Sequence, residues 1–222
     1  QSLGVEPGLV RFMLGDTDLP KAPVSGGSTS AASVGPAVRA ACEALRAKIL
    51  AEVVRDPQSP LHGSSVDALD VDDGLIVMHG DVTRRESLAM FAGRRGAPLD
   101  AAANAAPGDE AKRFSSHSFG AVFAEVHVDP WLHVVRIARI VGTYDVGTRL
   151  NAKTARSQIL GGMVWGVGLA MTEESLLDLD TGHFANASLA EYHVPVNADI
   201  GELDVTFIDA PDTNFNSLGI RG

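Results

Sequence analysis

Cysteine is almost missing from this 222-residue chain, where Cys42 stands alone. One thiol cannot close an intrachain disulfide, and no zinc ribbon or iron-sulfur cluster can be built from it. Cys42 lies on an apolar helical pattern and reads as a core thiol rather than a reactive one. Long hydrophobic runs are missing as well. The longest, Ile159 to Met171, falls short of the roughly 20 residues that a membrane-spanning helix needs, so no integral membrane segment is expected. Basic residues are the third scarcity: 18 Lys+Arg face 28 Asp+Glu, for a net charge of -10, and the arginines come at most in pairs, as at Arg84-Arg85 and Arg94-Arg95. A chain that tracks phosphate backbones needs a local basic stripe. Without one, neither nucleic acid nor an anionic membrane is an expected partner.

Several catalytic patterns are absent too. The histidines, at 62, 79, 117, 127, 133, 183 and 193, form no H-x-x-x-H or H-E-x-x-H pair, so no protein-ligated metal is expected. No G-x-S-x-G nucleophile elbow occurs. The paired carboxylates Asp72-Asp73 and Glu173-Glu174 sit beside turns or helix ends and read as solvated. The chain has no initiating Met and no basic, hydrophobic leader. Gln1 to Val5 resembles the tail of a helix delivered into Pro7-Gly8, and the chain is expected to be a piece of a longer, soluble polypeptide. Its compartment, cytoplasmic or periplasmic, is not legible.

What is present suffices for a core, since 45% of residues are hydrophobic. Leu9 to Leu14 is an apolar run of strand type. A Gly/Ser-rich loop follows and leads to Pro36, a favourable first residue for a helix. Val38, Ala41, Cys42, Leu45, Ile49 and Val53 keep helical spacing, with Arg39, Glu43 and Arg46 on another face, and this helix should end before Pro57. Leu75 to Met78 reads as a strand and Arg85 to Phe91 as a short helix. Ala, Gly, Pro and charge dominate from Gly93 to Arg113, as in an exposed loop. The architecture resumes at Ser116. Ala121 to Val128 and Val134 to Val141 alternate around Asp129-Pro130 and read as a hairpin. A helix over Ala152 to Met171 follows the Asp145-Val146-Gly147 loop. Its glycines at 161, 162, 166 and 168 each cost about 1 kcal/mol relative to Ala, which suggests a need for close backbone approach. Leu176 to Asp180, a Thr181-Gly182 turn, Ala187 to Val194 and Leu203 to Ile208 complete a β-rich half. Strands and helices do not alternate regularly, so the fold class is α+β. The expected organisation is a 1-92 segment, an exposed 93-115 loop and a 116-222 β-rich segment with a buried glycine-rich helix, continuous with 1-92.

Two segments invite a ligand. Gly26, Gly27, Ser28, Thr29 and Ser30 precede a helix, where backbone N-H groups, hydroxyls and the positive helix end together suit a phosphate or pyrophosphate. The loop lacks the Gly-Lys-Ser/Thr and G-x-G-x-x-G patterns, and a flexible surface loop is the alternative. The second is Asn151, Lys153, Thr154 and Gln158 at a helix start that turns abruptly apolar and glycine-rich. Lys153, Thr154 and Gln158 could face a buried polar ligand, or the segment could be ordinary capping. A buried glutamine there would need partners.

In order, LGDTD, GGSTSAASVGPAV, HSFGAVFAEVHVD, YDVGTRLN, SQILGGMVWGVG and LAEYHVPVNADI resemble the molybdopterin-binding subunit of the xanthine dehydrogenase and aldehyde oxidase family, along nearly the whole chain. LAEYHVPVNADI looks most like bacterial aldehyde oxidoreductase subunits. The resemblance implies the C-terminal portion of a molybdenum-cofactor-binding domain in an enzyme that oxidises aldehydes to carboxylic acids with water-derived oxygen. It implies molybdopterin cytosine dinucleotide, with molybdenum held by the pterin's sulfurs, and 2Fe-2S and FAD centres on partner subunits or domains. Gly26 to Ser30 match the segment that wraps the pterin and its phosphates. Gln158 matches a glutamine that hydrogen-bonds the cofactor, with Asn151, Lys153 and Thr154 as neighbours. The family's base is a glutamate in a G-x-G-E stretch, and Leu218 to Gly222 resemble its approach, so that residue is expected beyond Gly222 and the chain by itself is expected to be inactive. Thr29 stands where relatives commonly carry Arg, and Ala152 where they commonly carry Pro. The alternatives are an N-heterocycle dehydrogenase of xanthine type and a non-catalytic cofactor-binding scaffold.

Overall fold

A computed structural model describes residues 2–115 and 117–221. They form two units, Gln1–Asp109 and Glu110–Gly222. Ser116, where the sequence pattern resumes, lies outside the described residues.

In the first unit the chain reverses at Asp73-Gly74, whose φ values of 45° and 73° suit the two-residue hairpin turns that match strand twist. The turn joins β1 (Leu69–Asp72) to β2 (Leu75–Met78), paired antiparallel with Leu69 opposite Met78. β3 (Asp81–Ser87) adds on the other side of β2. The short helix expected over Arg85 to Phe91 is therefore displaced. Arg85, Glu86 and Ser87 pair with Val77, Ile76 and Leu75, and only then does Ser87 Oγ accept the Met90 amide at 3.1 Å and start α2 (Leu88–Arg95). Gly96, at φ 67°, ends that helix, as left-handed glycines commonly do.

The long helix α1 runs over Ser30–Val53. Its predicted end before Pro57 holds, whereas the predicted start at Pro36 does not. The Thr29 carbonyl already accepts the Ser33 amide and hydroxyl, so helix geometry is set a full turn earlier and Pro36 is buried inside α1. Only the C-terminal half of α1 is well covered. Ile49, Leu50 and Val53 join Leu61, Leu69, Val71, Ile76 and Phe91 in the core. Cys42 is half-buried and outside that core. Leu9 to Leu14, expected as a strand, holds a 3-10 turn at Pro7–Leu9 and then extended, exposed chain, because no described strand lies beside it to complete a ladder.

A charged network ties α2 to the rest of the unit. Buried Glu86 accepts hydrogen bonds from Arg94 and from Ser59 Oγ. Arg94 also reaches Asp56 Oδ2. The Gln58 amide, and then Arg94, hold the Asp56 carboxyl below its ordinary value, and Thr83 does the same for Asp81. Beyond α2, Arg95 donates to the carbonyls of Ala97 and Pro98, Lys48 Nζ to that of Asp100, and Leu99 packs on the core. A short α3 spans Glu110–Arg113.

The second unit opens with the expected hairpin, β4 (Phe119–Asp129) and β5 (Val134–Asp145), antiparallel along its length with an irregularity at Glu125/Val126. At its tip Asp129 Oδ1 accepts the amides of Trp131 and Leu132. β6 (Glu202–Ile208) pairs with β5 in parallel, giving the order β4-β5-β6. A parallel neighbour requires a crossover, and it contains α4 (Ala152–Met171), with the predicted bounds. Met163 and Val167 of α4 pack on Ile140, flanked by Ile137, Tyr144, Leu203 and Val205. The Tyr144 ring crosses Gly120 and Gly142, where added Cβ atoms would collide with it, and burial raises its phenol pKa.

Between α4 and β6, Leu177 bridges Phe184 around Thr181-Gly182, where Gly182 has φ 72°. The strand expected over Ala187 to Val194 is instead a turn. Tyr192 N bonds back to the Ser188 carbonyl, and Tyr192 Oη donates to Glu173 Oε2 at 2.8 Å. That hydrogen bond to Glu173 raises the Tyr192 pKa. β4 is exposed throughout, and large apolar side chains such as Phe123 (73%), Trp131 (89%) and Leu169 (80%) face solvent.

Two outcomes are expected. A carboxyl with a lowered folded pKa binds fewer protons than in the unfolded chain, so it adds stability above the ordinary value and loses it as pH falls through the lowered one. Urea midpoints of the first unit should therefore be flat down to about pH 5 and fall below it, less steeply in Asp56→Asn and Asp81→Asn. In addition, residues 1–222 expressed alone should self-associate through the exposed apolar faces. A soluble monomer in light scattering at modest salt, with a cooperative thermal transition, would contradict this.

Candidate functional site

The glycine-rich loop of the first unit is a tight turn. Gly27 and Ser28 take φ values of 59° and 57°, and the Thr29 amide bonds to the Gly26 carbonyl at 3.1 Å. Two consecutive left-handed residues are favourable only where glycine and small polar side chains stand. Thr29 Oγ1 also donates to the Gly26 carbonyl, and Ser30 Oγ to Ser25 Oγ. Thr29 is the N-cap of α1, and its side chain does not cap the helix amides. Ser28 keeps its hydroxyl unengaged among the described residues. Nothing lies within 4 Å of a Cβ built on Gly26, and only the Thr29 methyl lies that close to one on Gly27. A ligand can thus approach the backbone directly, beside amides at the positive end of a helix.

In the second unit, Asn151 Oδ1 accepts the Thr154 amide at 3.1 Å and caps α4. Its amide oxygen is engaged by the helix. Thr154, Gln158, Gly161, Gly162, Trp165 and Leu169 follow i, i+3, i+4 spacing and share one face. Gln158 is exposed, and its amide makes no side-chain hydrogen bond to the described residues. The condition of burial, under which Gln158 would need partners, does not arise, since the packed face of α4 is the Met163 and Val167 side. Lys153 sits roughly 140° around the helix from Gln158, so α4 brings Thr154 and Gln158 together and points Lys153 elsewhere. The close-packing reading of the glycines also needs correction. A Cβ added to Gly161, Gly162 or Gly166 would meet nothing within 4 Å, whereas one on Gly168 would strike the Glu173 carboxylate and Pro195. Three glycines leave an open strip beside Gln158, and one packs.

Sequence reasoning missed a buried pair in the same unit. Asp145, at the end of β5, is 5% exposed and accepts from Arg221 Nη2 at 2.5 Å and from the Gly147 amide at 3.2 Å. A lone aspartate closing an apolar strand was the available signal, yet no spacing rule connects it with an arginine so distant in the chain. Among the described residues, no group of three His, Cys, Asp or Glu side chains could hold a metal ion, and no helix is long and apolar enough to cross a membrane.

The chain is similar to several known proteins. PaoC, the aldehyde oxidoreductase molybdenum-binding subunit of Escherichia coli K12, is 33% identical over 222 residues, covering 100% of this chain and 28% of the relative. The putative xanthine dehydrogenase molybdenum-binding subunit XdhA of the same organism is 31% identical over 201 residues, covering 87% of this chain and 26% of its own length. The chain thus spans between a quarter and a third of the length of these relatives. Quinoline 2-oxidoreductase from Pseudomonas putida 86 shares the fold with a TM-score of 0.78 at 20% identity, over 100% of this chain and 28% of that one. The molybdopterin cofactor-binding domain family matches residues 1–201, and the chain belongs to that family.

Proposed function

We propose that this chain is the cofactor-holding portion of a molybdenum hydroxylase that oxidises aldehydes to carboxylic acids with water-derived oxygen. The observation that carries the reading is the Gly26–Thr29 turn, an uncovered backbone curve with left-handed residues at Gly27 and Ser28 directly before α1. Such a curve fits the phosphates of molybdopterin cytosine dinucleotide, which need N-H and hydroxyl donors rather than a cavity of side chains. Ser28 and the first amides of α1 would donate to the phosphates. The Gln158 amide, with Thr154 beside it, would donate to or accept from the polar rim of the pterin, and the Gly161-Gly162 strip would admit its flat body. Asn151 holds the α4 start in place, and Lys153 contributes positive potential from the flank. When bound, the cofactor supplies the redox centre, and the protein's share is binding, orientation and exclusion of water.

The 2Fe-2S and FAD centres are proposed to lie on partner subunits or domains. The aldehyde preference follows the aldehyde oxidoreductase relative. An N-heterocycle substrate is the second reading, favoured by the similar xanthine dehydrogenase subunit.

Full-length protein should contain stoichiometric molybdenum and release a cytosine nucleotide on acid treatment, and it should turn over aromatic or aliphatic aldehydes faster than purines. A metal-free protein without nucleotide would overturn the reading in favour of a scaffold, and preferential purine oxidation would exchange the substrate class. Gln158→Ala should weaken cofactor retention roughly tenfold, the effect of one hydrogen bond in a polar site. Molybdenum content after gel filtration checks this.

A further inference from the structure

Because β5 and β6 are parallel, with Tyr144 opposite Phe207 and Asp145 opposite Ile208, their chains leave the sheet at the same edge. One leads through Gly147 into α4, and the other through residues 209–221. The second loop then returns onto the first. Ile220 bridges Gly147, the Thr148 amide bonds to the Gly219 carbonyl at 2.7 Å, and the Arg221 amide bonds to the Val146 carbonyl at 2.9 Å. Gly147 and Gly219 have φ values of 68° and 67°, and a Cβ on Gly147 would collide with the Gly219 carbonyl. Asn216 braces the turn from inside. Its Oδ1 accepts the amides of Leu218 and Ile220, and its Nδ2 donates to the Ile220 carbonyl.

The Arg221 guanidinium closes this crossing. Besides Asp145 it donates to the carbonyls of Ala210 and His117 at 3.3 and 3.2 Å, and it lies 5.8 Å from the centroid of the Phe119 ring. Both partners are largely buried, with side chains 13% and 7% exposed. Removing Arg221 would leave the Asp145 charge out of water without its counter-ion, and removing Asp145 would leave Arg221 only the longer contact of its Nε with Asp212 Oδ2 at 3.7 Å, unlike the exposed pairs Arg39–Glu43 and Arg139–Asp204, whose partners stay solvated.

We infer that Asp145 and Arg221 are positioning residues that lock the α4 start and the Leu218–Arg221 segment into one rigid element. They touch no part of the Thr154–Gln158 stripe, and they act on it through Gly147, Thr148 and the Asn151 cap. The cofactor arm of the test rests on the proposed role of Gln158, whereas the exchange arm does not.

Hydrogen exchange measured by mass spectrometry on the full-length protein tests the lock. In Asp145→Asn and in Arg221→Gln, peptides covering 146–150 and 217–221 should both exchange faster by about tenfold, with β2 and β3 unchanged. Arg221→Lys, which keeps the charge, should restore much of the protection in both. Cofactor release from the loaded protein should accelerate in the same variants. Acceleration confined to the peptide that carries the substitution would overturn the inference. If the variants do not accumulate, the wild-type protein still decides. A shared opening predicts the same denaturant dependence of exchange in both peptides, and different dependences refute it. Joint protection in a protein that binds no molybdenum would uphold the lock and reject the cofactor reading.

Discussion

The parallel ladder between β5 and β6 is the constraint on which the second unit depends. Antiparallel strands can be joined by a few residues, as Asp129 to Val134 join β4 and β5, but a parallel strand cannot start where its neighbour ended. The chain must run back along the sheet before β6 can begin, and α4 is the helix in that return path. Met163 and Val167 hold it to Ile140, and this orientation leaves Thr154, Gln158 and the open glycines on the opposite side. The same ladder brings Asp145 and Ile208 to one sheet edge, which is why residues 209–221 can fold back over Gly147.

In both units the residues that build the core are separate from those free to meet a ligand. The C-terminal half of α1 supplies Ile49, Leu50 and Val53 to the first core, while its N-terminal end carries the Gly26–Thr29 turn in the open. α4 divides lengthwise instead, with one face packed and one face uncovered. Glycine serves both designs, though for different reasons. Gly27 supplies a backbone angle, Gly161 and Gly162 remove side chains from an exposed strip, and Gly147 and Gly168 admit a close neighbour.

Periodicity made a large part of this legible. The alternation of Val122, Ala124, Val126 and Val128 announced β4, and the apolar content of residues 159–171 announced α4. Short strands were harder. Leu69 and Val71 alternate over only four residues, too short a run to announce β1. Arg85 to Phe91 carries both the end of β3 and the start of α2, and its composition cannot reveal that Ser87 marks the change. Pro36 misled because a proline tolerated at a helix start can also lie inside a long helix whose other contacts outweigh one missing hydrogen bond. The candidate residues were found as segments rather than as geometry, since the side of α4 that packs depends on the sheet beneath it.

By itself the sequence determined the local chemistry: a Gly/Ser-rich loop ahead of a helix, a polar helix start at Asn151, an acidic chain with one thiol, and ordered segments that resemble one cofactor-binding family. These depend on neighbours within a few residues, where sterics and hydrogen bonding act directly. Tertiary structure alone decided that Gln158 is exposed and that Asp145 meets Arg221. Those outcomes require strand pairing between residues far apart in the chain, and the hydrophobic burial that drives such pairing is non-directional; only the folded register turns it into particular contacts.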